Sequence, residues 1–265
     1  MAQHYGGGLG ATSYLGGKAT RPEPCKPREH QKKAIERALK HYTEERRGKL
    51  IMPCGTGKSL TAFWIAQKLK ARTIAVFVPS LALIKQTIED WTREIVALDE
   101  TPLPEWLCVC SDESAAGLDE DEFVAQAYDL GFRPTTKTSE IVEFLTRSTF
   151  GRRLIFVTYH SSEALAEAAR KAGFVFDLAI LDEAHKTVGD VKDKGFTTPL
   201  FDENPPIANR LFMTATERVV PRRNEDIASM NDETVYGACF HELSFKDAIH
   251  AKPPISLTTK SSPML

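Results

Sequence analysis

Two short runs in this chain carry side chains suited to phosphate chemistry. The first is Met52-Pro53-Cys54-Gly55-Thr56-Gly57-Lys58-Ser59, which closes an apolar stretch and opens a helical one. Gly55 and Gly57, on either side of Thr56, let the backbone turn its N–H groups inward around phosphate oxygens, and the start of the helix adds partial positive charge there. Lys58 reaches the β- and γ-phosphates as a point charge, and the Ser59 hydroxyl is a ligand for Mg2+. The strict form of this pattern begins on glycine, where this chain has Met52. The second run is Leu178-Ala179-Ile180-Leu181-Asp182-Glu183-Ala184-His185. An apolar strand that ends in two adjacent carboxylates needs a cation or a reaction, because uncompensated buried charge is costly. Asp182 is placed to hold Mg2+ through water. Glu183 is placed to orient and deprotonate an attacking water, while the metal and Lys58 stabilise phosphoryl charge. A Gly-x-Gly-Lys-Ser turn alone arises by chance; followed by a strand-end Asp-Glu it points to ATP and Mg2+, with Lys58, Asp182 and Glu183 catalytic.

That chemistry requires both runs at the same end of one sheet, where open α/β sheets bind ligands. The hydrophobic pattern supplies the elements. Helical periodicity covers 31–46, 59–71 and 81–96, and short apolar runs read as strands at 50–52, 73–78, 106–110, 154–158, 178–181 and 210–213. Uniformly apolar strands alternating with helices imply an α/β fold, a parallel sheet covered by helices on both faces. Residues 1–24 are rich in glycine and short of branched aliphatics, which predicts a flexible tail. The acidic stretch 112–129 reads as a solvated loop and helix face, unsuited to nucleic acid.

Composition narrows the rest. The net charge of -2 supplies no global field for nucleic acid, so such a partner has to be held by a local surface. The five cysteines have no metal-ligand spacing, and Cys108 and Cys110 read as alternating positions of one strand. An odd cysteine count without a secretory leader predicts a reducing, cytoplasmic setting, and no apolar stretch is long enough to span a bilayer.

Asp-Glu-Ala-His after Gly-Thr-Gly-Lys-Ser resembles the DEAD/DEAH-type superfamily 2 helicases, whose first motif commonly lacks the early glycine. The resemblance runs from about residue 28 to 250 and implies a RecA-like lobe. It makes 54–60, from Cys54 to Leu60, the nucleotide-binding loop. Arg28-Glu29-His30-Gln31 is similar to the family's upstream Arg-x-x-Gln, which implies that Arg28 and Gln31 belong to the site and that Gln31 reads the adenine edge. Val78-Pro79-Ser80 is similar to the turn that meets the nucleic-acid backbone, as is Thr158-Tyr159-His160-Ser161, so Pro79, Ser80, Thr158 and Tyr159 are the implied nucleic-acid contacts. Met213-Thr214-Ala215-Thr216 resembles the element that couples ATP state to the track, with Thr214 and Thr216 facing His185. Within the superfamily the chain is most similar to the helicase-like motors of type I, type III and single-polypeptide restriction-modification systems, which implies double-stranded DNA as partner.

Only 49 residues follow Thr216, and a second RecA-like lobe needs roughly 100 to 150. The expected organisation is therefore a tail over 1–24, one ATP-binding lobe over 25–252, and the start of a linker over 253–265. The expected function is the ATP-binding lobe of a DNA helicase or translocase, with very weak hydrolysis until a second lobe joins it in cis or in trans. The alternative is a nucleotide-dependent binding module without useful hydrolysis; retention of Glu183 argues for the motor.

Overall fold

Along β2 (Thr73–Val78), Ile74, Val76 and Val78 point to one face of a sheet and Ala75 and Phe77 to the other, and all five are buried. The same double burial holds for β4 (Arg153–Thr158) and β5 (Phe176–Leu181), as expected of parallel strands with helices on both sides. In this computed structural model, which describes residues 21–110, 134–192, 194–202, 205–221 and 226–250, seven strands form one sheet. The others are β1 (Arg47–Ile51), β3 (Glu105–Val109), β7 (Ile207–Thr214) and β9 (Ala238–Glu242). Their order is β3-β4-β2-β5-β7-β1-β9, and all six pairings are parallel. A separate two-stranded ribbon joins β6 (Gly189–Asp190) to β8 (Ile227–Ala228).

One face is covered by α1 (Glu29–His41), α2 (Lys58–Lys68) and α3 (Leu81–Ala97), whose apolar side chains share a core with Leu50, Val76, Phe156, Ile180 and Leu211. The other is covered by α4 (Thr138–Thr146) and α5 (Ser162–Ala172) against Phe77, Ile155, Val157, Ala179 and Phe212. Short helices α6 (Lys194–Thr197), α7 (Glu233–Tyr236) and α8 (Phe245–His250) complete the described chain.

The six expected strands are all present, most of them longer than their apolar runs. Helix α1 ends at His41, where 31–46 was expected to continue. Arg47 has to lie beside Arg210 in the sheet, and the backbone of Arg46 already accepts the Arg210 N–H at 2.8 Å. Helix α2 likewise stops at Lys68, because Lys70 takes a left-handed turn (φ 56°) into β2. Cys108 and Cys110 are buried with their sulfurs 3.6 Å apart and not joined in a disulfide; Cys108 lies in β3 and Cys110 directly follows its last residue, Val109. Residues 1–20, the acidic stretch 112–129 and the linker 253–265 lie outside the described residues. Residues 21–25, in part assigned to the tail, contact α3 and the turn after it: the Cys25 N–H donates to Glu94 at 3.0 Å, and Arg21 pairs with Asp99, just beyond the helix, at 2.6 Å. Edge strand β9 depends on Gly237 (φ 72°), where a Cβ would lie 2.0 Å from the Arg47 carbonyl oxygen.

A buried charge fastens the loop before β7. Arg210 is 1% exposed; its guanidinium donates to the carbonyls of Pro199 (2.9 Å) and Phe201 (2.8 Å) and to Asp202 (2.7 Å). Burial, then neighbouring Arg47, lowers it to about 10 against the opposing pull of Asp202, so it stays charged at neutral pH. Arg210→Ala strands several buried acceptors and is expected to cost roughly 3–5 kcal/mol of stability, read by chemical denaturation. Arg210→Lys, which cannot make the fork, should rescue less than half of that loss; full rescue would show that charge alone matters.

Candidate nucleotide-binding site

The strand order decides what meets what. Strands β5, β7 and β1 are consecutive, so the chain leaving each of them emerges at one end of the sheet: Asp182-Glu183 after β5, Ala215-Thr216 after β7, and Met52 to Gly57 after β1. Beyond β5 lie β2 and β4, whose exits carry Pro79-Ser80 and Tyr159-His160. The structure thus brings all the expected segments to one edge.

The loop after β1 turns on Gly55 (φ 78°) and Gly57 (φ 82°), both left-handed. The positive φ of Gly57 favours glycine there, and a Cβ would also lie 2.6 Å from Gln31 Nε2 and push that amide aside. Lys58 opens α2 and is 9% exposed; its Nζ donates to the Met52 carbonyl at 3.2 Å, with Cys54 Sγ at 3.9 Å. Thr56 is buried and closes the turn by donating to the Pro53 carbonyl at 2.7 Å. Met52 is fully buried in the core, which explains an apolar residue at that position. Exposed Cys54 and partly buried Leu60 bracket the loop.

Gln31 is almost fully buried and is tied to this loop. Its Oε1 accepts the Arg28 N–H at 2.8 Å, and its Nε2 lies 3.2 Å from the Gly57 carbonyl and 3.4 Å from that of Thr56. His30 also meets the Thr56 carbonyl, at 3.0 Å, a neighbour that sequence reasoning did not single out. Arg28 is exposed.

At the end of β5, Asp182 Oδ1 accepts the Glu183 N–H at 2.9 Å. No lysine or arginine among the described residues forms an ion pair with Asp182. Burial first, and then the neighbouring Glu183 charge, push its carboxyl up to about 6, with Lys58 pulling the other way. Glu183 holds a left-handed backbone (φ 50°), an uncommon conformation for a non-glycine residue and one that clusters at functional sites. Its Oε1 is 3.7 Å from Lys58 Nζ and its Oε2 is 3.3 Å from His185 Nδ1. His185 Nδ1 also lies 3.1 Å from Thr214 Oγ1. The Thr214 hydroxyl donates its one proton to the Thr216 carbonyl at 2.8 Å, so His185 is the donor in that contact. One continuous chain of contacts therefore runs from Lys58 through Glu183 and His185 to Thr214 and Thr216.

The donor set fits a magnesium nucleotide. Two left-handed glycines open backbone amides around one lysine, a serine hydroxyl stands beside it, and a carboxylate with a raised pKa has no lysine or arginine ion-paired to it among the described residues. Ser59 and Asp182 would hold the metal, and Mg2+ in such a site supplies charge stabilisation to phosphoryl oxygens.

The expected nucleic-acid residues divide. Pro79 and Ser80 are partly exposed at the end of β2. Thr158 and Tyr159, expected as nucleic-acid contacts, are fully buried, so neither offers an exposed side chain. Thr158 donates to Ser161 at 3.2 Å. Tyr159 stacks on Phe77 and Phe196, and its hydroxyl donates to the Asp182 carbonyl at 2.8 Å, supporting the carboxylate turn from behind. The exposed member of that segment is His160. Trp91 is a further residue that sequence reasoning missed; its indole N–H reaches Ser59.

Comparison with known proteins agrees with this geometry. Residues 24–219 match the family described as the type III restriction enzyme, res subunit. A protein of African swine fever virus described as a probable helicase is 28% identical over 211 residues, 80% of this chain and 21% of the viral protein. Among solved structures, the chain resembles the ATP-dependent type ISP restriction-modification enzyme LlaBIII bound to DNA, with 29% identity and a TM-score of 0.66 over 86% of this chain and 15% of that one. It also resembles a nuclease-deletion mutant of the type ISP restriction-modification enzyme LlaGI in complex with a DNA substrate mimic, with 28% identity and a TM-score of 0.65 over 85% of this chain and 20% of that one. The chain thus spans about a fifth of the length of the curated relatives it matches. With its seven-stranded parallel sheet and both strand-end motifs in place, the chain belongs to the family of the type III restriction enzyme res subunit, as a helicase-type N-terminal RecA-like lobe.

Proposed function

We propose that this lobe binds Mg2+-ATP between Gly55–Ser59 and Asp182-Glu183, with the adenine beside Gln31, and hydrolyses it as one half of a DNA motor. The observation that carries the reading is the approach of Lys58 Nζ to Glu183 Oε1, 3.7 Å, across the gap between two different strand ends. A lysine and a carboxylate held this way, beside a second carboxylate, provide phosphate grip, metal ligand and general base in one place. Asp182→Asn should abolish the advantage that Mg2+ gives to nucleotide binding and leave metal-free binding in place. Equal Mg2+ advantage in variant and parent would refute the assignment.

The nucleic-acid reading rests on family membership and on the solved relatives, one bound to DNA and one in complex with a DNA substrate mimic. We place a DNA backbone across Pro79-Ser80 and the exposed His160, at the exits of adjacent strands β2 and β4. Phosphate contact here falls to Ser80, His160 and backbone N–H groups, since Thr158 and Tyr159 are buried. With a net charge of -2 and one lobe, affinity should be weak and fall steeply as salt rises. Fluorescence anisotropy of a short labelled duplex over a salt series checks this; tight, salt-independent binding is the contrary result.

A further inference from the structure

Trp91, on the third turn of α3, is 0% exposed, and its ring meets Phe63 (5.3 Å) and Phe156 (5.9 Å) edge-on. Its Nε1 lies 3.1 Å from Ser59 Oγ and 3.2 Å from the Ser59 carbonyl. An indole N–H only donates, so the Ser59 hydroxyl accepts this bond. A serine or threonine early in a helix ordinarily turns back on its own backbone, as Thr61 does by donating to the Gly57 carbonyl at 2.9 Å. Ser59 is instead gripped from a different helix.

The grip is rigid. Helices α2 and α3 are pinned together a second time, where Trp64 Nε1 donates to the buried carboxylate of Glu94 at 3.2 Å. Trp91 therefore cannot follow the hydroxyl if it swings to another rotamer, and any swing breaks a hydrogen bond to a buried donor. With one lone pair of Oγ engaged by Trp91, the other stays available in a set direction.

Resting on the Mg2+-nucleotide reading above, we propose that Trp91 is a positioning residue that holds the Ser59 hydroxyl in the orientation a magnesium nucleotide requires. Trp91 touches neither nucleotide nor metal and acts through Ser59 alone. A hydroxyl preset in this way binds metal without first giving up its rotamer freedom. A tryptophan that only filled the core would influence stability and leave metal dependence untouched.

The test compares calorimetric dissociation constants for ADP, with Mg2+ and in EDTA, in the 265-residue chain and three variants. Trp91→Phe keeps most of the ring packing and removes the N–H. It should lower the Mg2+ advantage about tenfold, the effect of one lost hydrogen bond, and leave ADP affinity in EDTA within about twofold. Ser59→Ala should lose at least as much of the advantage, and adding Trp91→Phe to Ser59→Ala should cost nothing further. A wild-type Mg2+ advantage in Trp91→Phe, or additive losses in the double variant, would overturn the proposal. Parent protein that binds no ADP under either condition would overturn the nucleotide site itself, a different result. If Trp91→Phe does not fold, the parent answers by NMR, its three indole resonances assigned with Trp64→Phe and Trp106→Phe. The Trp91 Nε1–H signal should move when Mg2+ is added to ADP-bound protein, and a signal that ignores Mg2+ would overturn the proposal.

Discussion

Purified on its own, the 265-residue chain is expected to release phosphate from ATP at a rate barely above background, with little response to DNA. The groups for slow turnover stand together: Lys58 beside Glu183, Asp182 next to Glu183 in sequence, and Ser59 in the first turn of α2. They occupy one end of one sheet, and no arginine among the described residues is ion-paired or hydrogen-bonded to any of them. Stabilisation of developing charge in a water-excluded site is usually the largest catalytic contribution, so a half-site open to solvent forfeits most of it. Joining a second RecA-like lobe that carries an arginine should raise turnover by about 10³- to 10⁵-fold. Glu183→Gln in the joined protein should remove that gain and leave nucleotide binding intact. Phosphate release measured with and without DNA, on the chain alone and on a two-lobe version, decides. Robust DNA-stimulated turnover by a verified monomer of this chain would show that the catalytic groups lie elsewhere.

Lys58→Ala is expected to weaken Mg2+-nucleotide binding by about a hundredfold, the loss of a charge-assisted contact that no neighbour replaces. Lys58 Nζ lies against the Met52 carbonyl and 3.7 Å from Glu183, and no other lysine or arginine among the described residues is ion-paired to Glu183. Removing the ammonium also leaves Glu183 facing bound phosphate without a counter-charge, so repulsion adds to the lost attraction. Lys58→Arg should recover little, since a wide planar guanidinium does not fit a niche built for a point charge at the start of α2. Equilibrium dialysis with labelled ADP reads the effect, and thermal melting of the same samples separates it from misfolding. An unchanged dissociation constant would remove Lys58 from the site.

Much of this architecture was legible from the chain alone, for a physical reason. Parallel strands buried on both faces have to be apolar throughout, so runs such as Ile74–Val78 stand out against amphipathic helices. Departures from that pattern at strand ends, Gly55 to Ser59 and Asp182-Glu183, were equally visible, and strand order then brought them together. Edge strand β9 was missed because Cys239, Phe240 and His241 form no apolar run; an edge strand has one neighbour and can tolerate polar residues. Helices α1 and α2 end before their periodic patterns do, because the strands that follow need their register. Thr158 and Tyr159 were named from resemblance alone, and nothing in the sequence shows that the Tyr159 ring turns back under the Asp182 carbonyl. Nothing in the sequence separates Trp91 from an ordinary core residue of α3. Only the packing of α3 against α2 shows its N–H directed at Ser59.

The central claim is that one nucleotide with its metal sits between the loop after β1 and the carboxylates after β5. Calorimetric titration of the chain with a non-hydrolysable ATP analogue, in Mg2+ and again in EDTA, tests it most directly. The account predicts one molecule bound per chain, at least about tenfold more tightly with Mg2+ than without, and loss of that difference in Asp182→Asn. Binding indifferent to Mg2+ and to Asp182→Asn, or no binding up to millimolar analogue, would contradict it.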